Sequence, residues 1–276
     1  SREFTVTPIL LLRKLGNLGK VVLAPRGMLG EGALSLKPTK KQIFITLFKI
    51  LGIHKKIVFH STALSESRSI QKVFGNLDLI EIGNVPVIPE EHEKRQNVDV
   101  RKFVFTSRIS PKKNLDFLLK VWKNAALKES QLNVYGTKED SDYFEACEKL
   151  AFDRPEISIN DAITPPEVMH KLNESDFFVL PTLDENFGHS IIESLAQGCP
   201  VIISDQTPWN DLESFGAGWV ISLENQERWG EVLSGASNIE QQEYFKMSAR
   251  AKEYVKQKFD FDDLRRQYLK LFQTGN

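Results

Sequence analysis

Short apolar runs rich in β-branched and aromatic residues recur along the chain and predict β-strands. Between most of these runs the apolar residues are spaced three or four apart, as in Leu115, Leu118 and Trp122, which is typical of a helix with one buried face. The alternation predicts an α/β fold of parallel sheets covered by helices on both faces. The predicted strands lie at residues 21–24, 57–60, 79–82, 103–107, 132–135, 157–159, 177–180, 201–204 and 219–223.

A charged stretch with two prolines and almost no apolar content, residues 86–97, predicts an interdomain linker. The part that follows it, residues 98–258, contains six predicted strands, enough for a complete Rossmann-like domain. The part that precedes it, residues 1–85, contains only three. We therefore expect a partial N-terminal Rossmann-like domain, with its front missing from this chain. Residues 259–276 predict a further, C-terminal helix.

The loop between a predicted strand and a predicted helix at residues 181–188 carries the most informative polar residues. In a parallel sheet, the loop that follows the carboxyl end of a strand faces the ligand crevice. Gly188 removes a side chain at the turn, so the amides of His189 and Ser190 could bind an anion at the helix N-terminus.

Two glutamates accompany this turn, Glu185 in the loop and Glu193 in the helix. A carboxylate repels phosphate, so the role that suits both is to accept hydrogen bonds from sugar or ribose hydroxyls. Taken alone, the pair would favour a plainer interpretation, with Glu193 as a helix-dipole partner and Glu185 as a solvated loop residue. Their position at the carboxyl end of a strand favours the binding role instead.

Cations follow the first strand after the linker, at Arg108, Lys112 and Lys113. A guanidinium binds a diphosphate through two hydrogen bonds, and an ammonium adds a movable point charge. A solvated basic loop is the ordinary alternative. The cations and the carboxylates both follow strands of one predicted sheet, and together they indicate a nucleoside diphosphate sugar.

Composition narrows the classes of partner. The 36 Lys and Arg against 37 Asp and Glu give a net charge of -1, which argues against nucleic acid as a partner. Only Cys147 and Cys199 are present, too few for a disulfide framework, and they favour the cytoplasm. The sequence has no run of eighteen apolar residues, so we expect no membrane span.

Residues 80–270 resemble the carboxy-terminal part of retaining glycosyltransferases of the GT-B fold, in the large glycogen-synthase-like group 1 family. Two glutamates separated by seven residues, Glu185 and Glu193, carry the resemblance together with Gly-Cys-Pro-Val-Ile at 198–202. Arg108 and Lys113, five apart, also match the family.

The resemblance implies two Rossmann-like domains that face a cleft and transfer a hexosyl group from a nucleoside diphosphate sugar, of UDP or GDP type, to a hydroxyl acceptor. No metal or cofactor is expected. Arg108 and Lys113 would hold the diphosphate as a leaving group, and Glu185 would hold the donor sugar. The implied donor-binding residues are Glu193 at the ribose, Ile163 at the base, and Phe187, Gly188, His189 and Ser190 around the phosphate and sugar.

A weaker resemblance concerns residues 21–29, which are similar to the cleft-facing loop of the family's amino-terminal domain. Many relatives have a histidine immediately before the glycine of this loop, whereas this chain has Arg26 before Gly27. Both residues are included among the expected donor-binding positions, with Arg26 able to touch phosphate.

Two Asp-x-Asp patterns, at 140–142 and 260–262, could hold a divalent metal, but we expect Asp142 and Asp262 to cap helices instead. Lysines at 40, 41, 49, 55 and 56 flank the apolar stretch 43–53. This pattern favours a packed helix with solvated ends over a helix on an anionic membrane surface. Peripheral membrane contact stays open because relatives often act on lipid-linked acceptors.

Two alternative functions remain. A glycoside hydrolase could use Glu185 and Glu193 as its acid and nucleophile, but Arg108 and Lys113 would then have no role. A nucleotide-binding piece without activity of its own is the other alternative, because the first domain is expected to be incomplete. The sequence names neither the base, the sugar nor the acceptor, which is expected to be a saccharide or a lipid-linked one.

Overall fold

The computed structural model describes residues 5–16, 21–30, 34, 38–86 and 100–273. Residue contacts divide the chain into two compact units, one made of Ser1–Val85 with Asp260–Asn276 and the other of Pro86–Phe259. Almost all of the predicted linker, from residue 87 onward, lies outside the described residues.

The smaller unit contains a three-stranded parallel sheet with strands in the order β1-β2-β3. Phe59 on the middle strand and Ile70 on the helix that follows it are fully buried in its core. Its elements in chain order are α1 Thr7–Lys14, β1 Val22–Leu23, α2 Pro38–Ile50, β2 Val58–Ser61, α3 Leu64–Phe74 and β3 Leu79–Glu81.

The larger unit contains a six-stranded parallel sheet. Its strands are β4 Arg101–Thr106, β5 Ser130–Tyr135, β6 Ile157–Asn160, β7 Phe177–Leu180, β8 Val201–Ser204 and β9 Gly218–Ile221. Their spatial order is β6-β5-β4-β7-β8-β9. Every residue of β7 and β8 is buried, as expected for strands covered on both faces. The predicted α/β class and the predicted strands are therefore confirmed.

The strand order of the larger sheet reverses between β4 and β7. These two strands are neighbours in the sheet, although β5 and β6 lie between them along the chain. At such a reversal the connections leave toward opposite faces and open a crevice at the carboxyl ends of the strands. The helices of this unit are α4 Leu115–Asn124, α5 Ser141–Ala151, α6 Pro165–Glu174, α7 His189–Ala196, α8 Leu212–Phe215, α9 Gln226–Asn238 and α10 Gln241–Lys258.

The last helix, α11 Phe261–Gln273, belongs to the smaller unit by its contacts. The Tyr268 hydroxyl donates to the carbonyl of Gly83 at 3.1 Å, and the Tyr268 ring meets the His60 ring edge-on at 5.4 Å. Leu271 is buried. The predicted C-terminal helix thus packs against residues that lie far away in the sequence.

The predicted helix caps are wrong by two residues. Helix α5 is capped by Asp140, whose carboxylate accepts a hydrogen bond from the amide three residues on at 3.0 Å. Asp260 makes the equivalent bond at the start of α11, at 2.8 Å. An N-cap needs a non-helical backbone and an amide two or three residues ahead. Asp142 and Asp262 lie within the first helical turn and act there on the helix dipole.

Cys147 and Cys199 are both buried and form no disulfide. Burial raises the pKa of the Cys147 thiol to about 11, so the thiolate is strongly disfavoured near neutral pH. Among the helices that the structure describes, none combines the length and the apolarity needed to cross a membrane.

Candidate functional site

A cavity of about 380 Å³ lies at the carboxyl ends of β4, β5 and β7 in the larger unit. This volume is within the range of small-molecule sites, about 300–1,000 Å³. The predicted site residues that line it are Arg108, Lys113, Ile163, Glu185, His189, Ser190 and Glu193. Four separate loops and one helix start therefore contribute to a single hollow.

Backbone hydrogen bonds tie the cationic loop to the carboxylate loop. The amide of Leu183 donates to the carbonyl of Lys112 at 2.8 Å, and the buried Thr182 hydroxyl donates to the same carbonyl at 3.1 Å. The amide of Glu185 donates to the carbonyl of Gln206 at 2.9 Å. The loops that follow β4, β7 and β8 thus hold one another in position.

Lys113 and Glu185 form an ion pair on the cavity wall, and each side chain is at most 15% exposed. Low exposure strengthens their attraction, but it also makes either charge costly without the other. The pair places an ammonium and a carboxylate side by side. Such a pair can face a phosphate on one side and a sugar hydroxyl on the other.

Arg108 is held by a residue that the sequence analysis missed. Its Nη1 donates to both carboxylate oxygens of Glu139, at 2.8 and 3.0 Å, and both side chains are about half exposed. The β4–β5 pairing continues beyond the strand ends and sets this geometry, since the amide of Ile109 donates to the carbonyl of Thr137 at 2.8 Å. The guanidinium is therefore pre-positioned but already paired with a carboxylate.

Gly188 adopts a φ of 76°, a left-handed conformation in which a side chain is strained. A Cβ at this position would lie 2.7 Å from Cδ1 of Ile191 and 3.2 Å from Cγ of Glu185. The first turn of the described helix α7 carries no acidic side chain of its own, so its amides keep their partial positive charge toward an anion. Phe187 and Gly188 form the turn that precedes α7, and neither of them lines the cavity.

Apolar and aromatic residues also line the cavity. Ile163 follows β6 and lines the cavity together with Ala162 and Val168. Tyr135, the last residue of β5, also lines it. This wall is suited to a flat, weakly polar group such as a nucleobase. Tyr135 was missed because a tyrosine at a strand end also fits an ordinary core residue.

Burial raises the pKa of the Glu193 carboxyl above its ordinary value of 4.5. The folded protein therefore takes up this proton at a higher pH than the unfolded chain does. Relative to a neutral residue, wild-type Glu193 is destabilising at high pH, and this penalty disappears as the pH falls through the folded pKa toward 4.5.

Glu193→Gln is accordingly expected to raise the thermal midpoint at about pH 8, with the difference from wild type shrinking as the pH is lowered toward 4.5. Glu174→Gln is the matched control, and it is expected to lower the thermal midpoint at about pH 8. A hydrogen bond from Lys171 lowers the pKa of Glu174, so the charged carboxylate stabilises the fold at that pH. Thermal unfolding across a pH series measures both. A pH-independent difference for Glu193→Gln would contradict the prediction.

Arg26 and Gly27, the predicted donor-binding residues of the amino-terminal loop, form hydrogen bonds within the smaller unit. Nη1 of Arg26 donates to Oδ1 of Asn84 at 2.6 Å, and the amide of Gly27 donates to Oε1 of Glu66 at 2.6 Å. Glu66 is 5% exposed and also accepts a bond from the amide of Thr62 at 2.9 Å. The sequence analysis missed Glu66 and Asn84, although Glu66 shows a recognisable pattern, an acid in the first turn of a helix that follows a strand.

Comparison with known proteins assigns the family. The model of the family Glycosyl transferases group 1 matches residues 87–258, which is more than half of the 276-residue chain. The chain belongs to this family. The predicted membership of the group 1 glycosyltransferases is thereby confirmed, whereas the retaining mechanism and the glycogen-synthase-like subtype stay predictions. No curated protein matches the chain by sequence.

Solved structures share the fold of this group 1 family member. A variant of S. aureus TarM in complex with Fondaparinux, alpha-GlcNAc-glycerol and UDP has a TM-score of 0.62 at 18% identity, covering 78% of this chain and 43% of TarM. WaaG, a glycosyltransferase involved in lipopolysaccharide biosynthesis, has a TM-score of 0.63 at 16% identity, covering 79% of this chain and 63% of WaaG. This chain thus spans less than two thirds of both proteins.

Anabaena HepE in complex with UDP-glucose has a TM-score of 0.76 at 12% identity, covering 99% of this chain and 77% of HepE. At such low identities the likeness concerns the fold. The two parallel α/β units match GT-B glycosyltransferase structures, so the predicted fold is confirmed.

Proposed function

We propose that this chain is part of a retaining glycosyltransferase that moves a hexosyl group from a nucleoside diphosphate sugar to a hydroxyl of a saccharide or lipid-linked acceptor. The observation that carries the proposal is the shared cavity of Arg108, Lys113, Glu185 and Glu193 in a group 1 fold. The TarM structure contains UDP and the HepE structure contains UDP-glucose, which makes uridine diphosphate the first nucleotide to test.

In this proposal the chain's own charges stabilise the leaving group. Arg108 and Lys113 bind the diphosphate oxygens, and the amides at the start of α7 add partial positive charge. Fixed donors aimed at developing negative charge are a large source of catalysis. We propose that these groups act without a metal or cofactor.

Retention follows in the proposal from attack on the face that the diphosphate leaves. The bond from the anomeric carbon to the diphosphate oxygen breaks, and its electron pair departs with the diphosphate. The acceptor oxygen then bonds the anomeric carbon from the same side, and its proton passes to the departing oxygen. Glu185, paired with Lys113, holds a sugar hydroxyl and forms no covalent adduct.

The test of the proposed function is donor turnover by the full-length protein and by its Glu185→Ala variant. We expect a loss of about a hundredfold or more, because a charged hydrogen-bonding partner of the sugar is removed and Lys113 loses its counter-ion. Asp184→Ala is the matched control, since Asp184 is a neighbouring carboxylate whose side chain is 75% exposed. An unchanged rate for Glu185→Ala would refute the assignment.

Titration calorimetry with nucleoside diphosphates, together with an assay of sugar transfer, separates the proposed function from the two alternatives. A glycoside hydrolase that uses Glu185 and Glu193 has no reason to bind a nucleoside diphosphate. A nucleotide-binding piece without activity binds the diphosphate but does not transfer the sugar, and a longer protein would restore transfer. Binding together with transfer supports the glycosyltransferase.

Glu139 is expected to compete with the ligand for Arg108. Glu139→Gln removes the competing charge, so the affinity for UDP is expected to rise about threefold, the scale of an exposed ion pair. Asp161→Asn is the matched control for overall charge, because Asp161 is an exposed acid that pairs with Lys138 at 3.2 Å. Isothermal titration calorimetry at two salt concentrations measures both, and equal gains would contradict a specific effect.

We further propose that the protein works in the assembly of cell-surface polysaccharide or glycolipid, in the cytoplasm and in peripheral contact with an anionic membrane. Two buried cysteines that form no disulfide support a reducing compartment. On α2, Ile43, Leu47 and Ile50 are all more than half exposed and recur at helical spacing. Lysines at 40, 49, 55 and 56 are exposed near this apolar stripe, which suits an anionic surface.

Vesicle co-sedimentation tests the membrane contact. The chain is expected to bind vesicles that contain phosphatidylglycerol more strongly than vesicles of phosphatidylcholine alone. The double variant Ile43→Ser/Leu47→Ser is expected to lose this binding, whereas Leu64→Ser, at an exposed leucine of α3, keeps it. Equal binding by all three proteins would refute the contact.

A further inference from the structure

The turn that carries Phe187 and Gly188 is supported by an aromatic residue from another loop. Trp209 follows β8 and is 9% exposed, and its indole Nε1 donates a hydrogen bond to the carbonyl of Phe187. The Trp209 ring also meets the Phe187 ring edge-on at 5.5 Å and packs at 6.0 Å from the ring of Phe259. One side chain therefore contacts both the backbone and the ring of the turn.

The hydrogen bond from Trp209 controls the direction of a particular amide. The carbonyl of Phe187 and the N–H of Gly188 belong to the same peptide unit, which is planar and trans. In such a unit the two groups point in opposite directions. When the carbonyl is held toward Trp209, the amide of Gly188 is held away from it, immediately before the first turn of α7.

Trp209 is itself fixed by its surroundings. Its amide donates to the hydroxyl of the buried Thr207 at 3.3 Å, and its ring lies 6.4 Å from that of Tyr254 on α10. It is not part of the cavity lining described above. Its influence on the site therefore passes through the Phe187–Gly188 peptide.

We propose that Trp209 is a positioning residue for the phosphate-binding turn. By holding the Phe187–Gly188 peptide in one orientation, it arranges the amides at the start of α7 for the diphosphate of the ligand. This inference rests on the proposed function of the same site. It adds a determinant of ligand affinity that neither contacts the ligand nor carries a charge.

The test compares Trp209→Phe with Trp229→Phe in the whole chain. Trp229 is also buried, and its indole N–H also donates to a backbone carbonyl, that of Ser222 at 3.2 Å, but Ser222 is not a cavity residue. Both variants lose one indole hydrogen bond, so both are expected to unfold at a somewhat lower temperature. Only Trp209→Phe is expected to bind UDP more weakly, by about tenfold, the scale of one hydrogen bond to a charged group.

Titration calorimetry well below the unfolding temperature measures the affinities, with GDP as a second ligand. Equal affinities of the two variants would overturn the inference. If Trp209→Phe lacks a cooperative unfolding transition, Thr207→Ala replaces it, because that variant loosens Trp209 without removing it. A loss of about threefold in affinity then supports the inference, and an unchanged affinity overturns it.

Failure of the proposed function gives a different result. If the wild-type chain binds neither UDP nor GDP, the proposed function fails, and hydrogen exchange without ligand decides the positioning role. Faster exchange of the amides at 188–190 in Trp209→Phe than in Trp229→Phe supports the role. Equal exchange of these amides in the two variants overturns it.

Discussion

Lys113→Ala is expected to lower the affinity for UDP by about a hundredfold or more, as measured by titration calorimetry. Lys113 is 8% exposed and pairs with Glu185. In the proposed function, loss of the ammonium removes a cationic partner of the diphosphate and leaves the Glu185 carboxylate uncompensated in the same cavity. Both effects act in the same direction, so this substitution should be among the most damaging in the site.

Lys112→Ala is the matched control for this prediction. Lys112 is the neighbouring lysine, its side chain is 45% exposed, and it pairs with Asp184, which is 75% exposed. Both substitutions remove one positive charge, but an exposed pair contributes little, so we expect a change of less than about threefold. Equal losses for the two variants would mean that net charge alone controls the affinity.

Gly136→Ala is expected to reduce the free energy of unfolding by about 3 kcal/mol or more and to weaken UDP binding. A Cβ at Gly136 would lie 1.9 Å from the carbonyl oxygen of Ser107, a backbone atom that cannot rotate away. The ends of β4 and β5 must therefore separate. They carry Arg108 and its partner Glu139, so the site is distorted together with the sheet.

Gly235→Ala provides the contrast of opposite sign. Gly235 lies within helix α9, and apart from the backbone of that helix and the two adjacent residues a Cβ there would meet no described atom within 4 Å. Replacing a helical glycine by alanine is expected to stabilise by about 0.5–1 kcal/mol. Denaturant unfolding compares the two variants, and a stability of Gly136→Ala close to wild type would contradict the clash.

The strands could be predicted from the sequence because each is a short apolar run that the parallel sheet buries. Phe177–Leu180 and Val201–Ser204 are buried at every position, so no other location suits them. The helix caps could not be predicted to the residue. Two aspartates spaced two apart offer the same chemistry, and the path of the backbone decides which of them precedes the helix.

The site residues that could be predicted from the sequence are charged residues that come shortly after a predicted strand. Arg108, Lys113, Glu185 and Glu193 follow predicted strands or lie on the helix next to one, and they share a cavity. Their pairing was not predictable. Lys113 and Glu185 are 72 residues apart, and it is the adjacency of β4 and β7 in the sheet that brings them together.

By itself, the amino-acid sequence determined the α/β class, the positions of the strands, the family and the loops that carry the charges, because these depend on local pattern and residue type. Only the tertiary structure decided that Arg108 forms an ion pair with Glu139 and that Trp209 donates a hydrogen bond to the carbonyl of Phe187. Such contacts depend on which loops the sheet order places side by side. The physical reason is that hydrogen bonds and ion pairs form over a few ångströms, whereas the residues that make them are separated by long stretches of chain.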